Sequence, residues 1–129
     1  DFLCRVYGVI PDFIKVDVEG AEQQVLLGSI ECIKNRETRF LVEVHSPPEN
    51  PMKQNAEKIL EWCRKAKYSA WYLAEEKLIS SADTIAHRGR CHLLLQPEEW
   101  PYPEWLKGIP QGAPLEKALK DKQFLRSHL

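Results

Sequence analysis

Apolar and polar positions recur along this chain with periods that mark successive elements. The run FIKVDV at 13–18 is rich in β-branched and aromatic residues, follows the turn-forming pair Pro11-Asp12 and stops before Gly20, so it predicts a short strand. Ala21, Val25, Leu26, Ile30 and Ile33 then recur at helical spacing, predicting a helix over Ala21 to Lys34 with Glu19 and Glu22 near its positive end and Asn35 as its stop. Phe40 to His45 is almost continuously apolar and is closed by Pro47-Pro48, as in a strand buried on both faces. Strand, helix and strand ordinarily make a right-handed crossover between parallel strands, which puts the carboxyl ends of both strands on one sheet edge.

Asn50 followed by Pro51 reads as a cap with proline at the first helical position. Met52, Ala56, Ile59, Leu60, Cys63 and Ala66 then form an apolar stripe to about Lys67. Ser69 to Leu73 predicts a third strand, Leu78-Ile79 a brief partner after the Glu75-Glu76-Lys77 turn, and Cys91 to Gln96 a last strand ended by Pro97. Ser80 to Arg90 reads as a loop. Beyond Pro97 the composition changes: Trp100, Pro101, Tyr102, Pro103, Trp105 and Pro110 make a segment that cannot continue a central strand and is expected to wrap the surface. Leu115, Ala118, Leu119 and Leu125 suggest a terminal amphipathic helix. The chain thus divides into an α/β unit over 1–97 and an extension over 98–129.

Of the 129 residues, 43% are hydrophobic and 29% charged, the profile of one soluble globular unit. The net charge of −1 supplies no general attraction to phosphate backbones or anionic membranes. The four cations against two acids between Glu116 and Arg126 are too small a surplus to change that, so no nucleic-acid partner is expected. No run approaches the roughly 18 apolar residues of a membrane span, and the start lacks the layout of a signal peptide, so a cytoplasmic protein is expected. The absence of an initiator Met suggests a piece of something longer. Cys4, Cys32, Cys63 and Cys91 are too widely spaced for the zinc templates, and the simplest reading is reduced core thiols, Cys63 and Cys91 in particular. The six glycines are scattered, and no phosphate-cradling loop can be written.

Open α/β sheets bind ligands in the crevice outside the carboxyl ends of their strands, which is where Asp17, Val18, Glu19 and Gly20 meet Glu43, His45 and Ser46. Side chains alternate along a strand, so Lys15 and Asp17 share one face, as do Glu43 and His45. A carboxylate inside FLVEV needs a cation, a metal or hydrogen-bond donors, and Lys15 across the strand pair is the expected structural partner of Glu43. Asp17 and Glu19 could cap the following helix; alternatively Asp17 is a carboxylate aimed into the crevice. An unperturbed histidine changes charge near neutrality, so His45 could serve as a base, or lie as an ordinary hydrogen-bonded surface residue. Asp17, Glu43 and His45 also form an oxygen-and-nitrogen set on which a divalent metal could sit, which the spacing permits without demanding. His87 and His92 receive no site.

The stretch Phe13-Ile14-Lys15-Val16-Asp17-Val18-Glu19-Gly20-Ala21-Glu22, followed by Val25-Leu26-Leu27-Gly28 and then Leu41-Val42-Glu43-Val44-His45, closely resembles the FkbM-type methyltransferases. The resemblance runs from about Pro11 to Leu95. It implies the C-terminal half of a class I (Rossmann-like) methyltransferase fold, a mostly parallel sheet with an antiparallel last strand. It also implies S-adenosylmethionine as cofactor and methyl transfer to a hydroxyl oxygen of a small-molecule, sugar or lipid-linked acceptor. By resemblance, Asp17, Val18 and Glu19 match the cofactor-bordering loop after the fourth strand, and Glu43 and His45 match the end of the fifth. Asp17 or His45 would be the base, with Glu43 holding Lys15 or His45. The glycine-rich turn and the ribose-binding acid of such enzymes would lie upstream of Asp1, so the chain by itself is expected to lack most of the nucleoside pocket. The alternative is a non-catalytic interaction module that completes its sheet with a partner chain, by self-association or by pairing with the missing half.

Overall fold

A computed structural model describes residues 1–35 and 37–109. In chain order these form α1 (Phe2–Tyr7), β1 (Phe13–Val16), α2 (Glu22–Leu27), β2 (Arg39–His45), α3 (Met52–Ala66), β3 (Tyr68–Tyr72), β4 (Lys77–Ile79) and β5 (Arg90–Pro97), with short 3₁₀ turns at Ala82–Thr84 and Glu104–Leu106. The proposed terminal helix around Leu115 to Leu125 lies outside the described residues.

The five strands make one mixed sheet in the order β1-β2-β5-β3-β4. β1 and β2 are parallel neighbours, with Lys15 level with Leu41 and Val16 with Val42. β5 enters between β2 and β3, antiparallel to both, and β4 is antiparallel to β3. The expected antiparallel last strand is therefore present, but the sheet is not mostly parallel by pairing. β1, β2 and β3 run in one direction, yet only β1 and β2 are adjacent, because β5 separates β2 from β3.

Phe40, Val42 and Val44 alternate onto one face and join Leu93, Leu95, Ala70, Tyr72 and the apolar stripe of α3 in the core. Phe40, Trp62 and Tyr68 meet at angled ring contacts with centroids 5.3 to 6.1 Å apart. The segment after β5 lies against the sheet: Tyr102 packs on Trp71, the Arg39 guanidinium lies 4.3 Å over the Trp100 ring, and Gln96 is wholly buried, donating to the carbonyls of Trp100 and Pro101. No helix among the described residues is long and apolar enough to cross a membrane.

α1 has no counterpart among the elements expected from the sequence, and two local expectations change. α1 carries no strong sequence signal and has no buried residue. α2 ends at Leu27 rather than Lys34, because the Gly28 N–H bonds back to Gln24 and Val25 and the Ser29 hydroxyl takes the Leu26 carbonyl, after which the chain runs through turns. Asn50 does not cap α3. The Ser46 hydroxyl accepts from the Met52 N–H instead, while the Asn50 amide donates to the Gly20 carbonyl.

Candidate functional site

β1 stops at Val16 because the backbone turns sharply after it. Ala21 N–H bonds to the Val18 carbonyl, Glu19 takes φ 53° and Gly20 φ 107°. A side chain at Gly20 would place its Cβ 2.6 Å from Pro47 Cγ, so glycine lets the loop 17–20 press against the chain leaving β2. Asp17 and Glu19 therefore stand beside the end of β2, where Glu43 and His45 emerge. Neither acid caps a helix: Asp17 binds Lys15 at 3.0 Å, and Glu19 is exposed.

His45 is the hub. Its Nδ1 lies 3.2 Å from Glu22 Oε1, and its Nε2 lies 3.6 Å from Glu19, 3.7 Å from Glu43 and 3.9 Å from Asp17. Glu22 is fully buried. Its carboxylate accepts the Gly20 N–H at 3.0 Å and the Asn55 amide at 2.8 Å, and Asn55 also donates to the His45 carbonyl. Burial acts to push this carboxyl up, but the Asn55 amide, the backbone N–H groups and His45 together outweigh it and hold it below the ordinary glutamate range. An ionised Glu22 can only accept, so Nδ1 of His45 is the donor in this pair, and Nε2 faces the acidic rim. Asp17 is held below the usual carboxylate range by the Lys15 ammonium, which makes it a weak base.

Glu43 is buried, but Lys15 is not its partner. Arg90 Nε at 3.2 Å and His92 Nε2 at 3.4 Å answer it from β5, where His92 is its register partner. Lys15 turns to Asp17 because the two lie on the same strand face, two residues apart. One donor atom each from Asp17, Glu43 and His45 falls within 4.8 Å of the others, a set of two oxygens and one nitrogen that suits a hard divalent cation.

Residues 4–70 match the family model of the methyltransferase FkbM domain. The chain belongs to that family. No curated protein and no solved structure matches it.

Within this FkbM chain the structure brings together Asp17, Glu19, Glu43 and His45, with Val18 partly exposed at the loop. Glu22 and His92 are the neighbours that sequence reasoning passed over. Glu22 lies four residues before buried Leu26 on α2, so its place on the inward stripe was a readable signal. His92 had no such signal, because its pairing with Glu43 depends on the register between strands whose paired residues lie 45 or more positions apart in sequence.

Proposed function

We propose that this chain is the acceptor-side half of a class I, Rossmann-like methyltransferase domain that transfers a methyl group from S-adenosylmethionine to a hydroxyl oxygen of a small-molecule, sugar or lipid-linked acceptor. The carrying observation is the arrangement of His45. Nδ1 is engaged by buried Glu22, while Nε2 faces the acidic rim at the tips of two adjacent parallel strands. S-adenosylmethionine, when bound, supplies an electrophilic sulfonium methyl for in-line displacement. His45 Nε2 takes the acceptor hydroxyl proton, and Glu22, Glu43, Asp17 and Glu19 offset the positive charge that forms on the imidazole. The exposed carboxylates of the 17–19 loop also suit a cationic sulfonium, which supports assigning Asp17, Val18 and Glu19 to the cofactor side. Glu22 is a positioning residue.

The test is methyl transfer by the full-length protein. His45→Asn is expected to lower kcat by about 10²–10⁴-fold while leaving cofactor affinity near that of the parent; unchanged turnover would remove His45 from the mechanism. Asp17→Asn is expected to cost less, since Lys15 already engages that carboxylate. Activity that survives exhaustive chelation would discard any part for a divalent ion at Asp17, Glu43 and His45.

A second reading, an interaction module, draws on a different observation. β1 pairs on one side only among the described residues, and Phe2, Tyr7, Phe13, Leu27 and Ile30 near it are exposed. Both readings place a further α/β layer, or a partner, against this side. Methyl transfer by the full-length protein distinguishes them.

A further inference from the structure

The two sulfurs of Cys4 and Cys32 lie 3.0 Å apart although their residues are 28 positions apart in the chain. Cys4 belongs to α1, and Cys32 lies in the turns after α2. α1 has no buried residue of its own, and the Asp1 carboxylate, accepting from the Glu31 N–H at 2.8 Å, is among the few ties that hold it to the turns. Between α1 and the sheet is an apolar cavity of about 700 Å³, lined by Phe2, Cys4 and Tyr7 on one side and by Ile14, Val25 and Cys32 on the other. Both thiols stand in its wall. A bond between them would join the weakly held helix to the body of the fold across that space.

We propose that Cys4 and Cys32 form a reversible dithiol–disulfide latch that fixes α1 over this apolar cavity. Cys4 is partly exposed and Cys32 buried, so Cys4 is the sulfur that an oxidant meets first. Burial, reinforced by the Cys4 sulfur, pushes the Cys32 thiol up, so the first attack falls to Cys4. The oxidant is a small-molecule disulfide of the glutathione class. The Cys4 thiolate attacks it, forming a mixed disulfide and releasing one small thiolate. Cys32 then loses its proton to solvent and attacks the Cys4 sulfur, expelling the second thiolate. Two electrons pass from the two cysteines to the small disulfide, which leaves as two thiols. The existing sulfur contact makes the second step intramolecular and fast.

Cys63 and Cys91 are internal controls. Burial pushes their thiols up to about 12 and about 11, so neither competes near neutral pH. The full chain is incubated with oxidised glutathione at pH 7.5 and analysed by intact mass and non-reducing peptide mapping. The expected result is a species lighter by two hydrogens with one linked Cys4–Cys32 peptide. It should return to four free thiols under dithiothreitol and be absent in Cys4→Ser, a substitution at a partly exposed site. Oxidation should raise the thermal midpoint by about 5–15 °C, because the cross-link closes a long loop in the unfolded chain. It should also slow tryptic cleavage after Arg5 about tenfold or more, since α1 must open to be cut. Four alkylatable thiols after prolonged incubation, a mixed disulfide on Cys4 that never resolves, or linkage to Cys63 or Cys91 would overturn the pairing. An Arg5 cleavage rate unchanged by oxidation would overturn the latch.

Discussion

Glu22 anchors the site from its buried side. Its two oxygens engage the Gly20 N–H, the Asn55 amide and the His45 ring, so one buried carboxylate ties the loop after β1, α3 and the end of β2 together. Glu22→Ala strands the Gly20 N–H and one of the two N–H groups of the Asn55 amide, the other keeping the His45 carbonyl, and should cost about 1–3 kcal/mol for each group left unsatisfied, measured by urea unfolding. The pH dependence has a definite sign. The folded carboxyl lies below its ordinary 4.5, so its contribution is complete above that value and is lost as pH falls through the folded one. The stability loss between pH 5 and pH 3 should therefore be shallower in Glu22→Gln than in the parent. Gly20→Ala is expected to destabilise by about 1–3 kcal/mol, since it meets both a positive φ and the ring of Pro47.

At the scale of elements, α3 organises the core through Trp62, whose ring meets both Phe40 of β2 and Tyr68 of β3. Trp62→Ala should cost about 3–5 kcal/mol in denaturant unfolding, the usual result of emptying a large aromatic site. α3 ends with Lys67 at φ 58° and ψ 51°, a left-handed conformation that glycine adopts without strain. Lys67→Gly should raise stability by about 0.5–1 kcal/mol in the same assay. The short α2 shows how a helical apolar pattern can outrun its helix. Val25 and Ile30 carry the spacing but are exposed, and the Ser29 hydroxyl takes the Leu26 carbonyl that a further turn would have used.

Across the whole molecule the core is lopsided. One face of the central strands is closed by α3 and Trp71 on the other packs against Tyr102, but α1, β1, α2 and the turns after it leave Phe2, Leu3, Tyr7, Phe13, Leu27 and Ile30 in solvent. So much exposed apolar surface predicts concentration-dependent association of this chain by itself, read by size-exclusion with light scattering. The double variant Leu27→Glu and Ile30→Glu should shift it toward monomer without altering its far-UV circular dichroism. An equally associated variant would place the contact elsewhere.

Much of this was legible from residue order, for physical reasons that act locally. The strands after Pro11-Asp12 and before Pro47-Pro48, the long helix from Met52 and the strand closed by Pro97 follow from period and punctuation, to within a residue or two at their ends. The motif D-V-E-G-A-E with a later E-V-H was enough to bring out the family, and alternation put Glu43 and His45 on one face. Tertiary structure alone decided which charges meet. β5 inserts beside β2 and hands Arg90 and His92 to Glu43, Lys15 stays with Asp17, and Glu22 turns inward to engage His45. Period and propensity act over a few residues, whereas these pairings depend on strand order and on register between segments far apart in the chain, which no local pattern encodes.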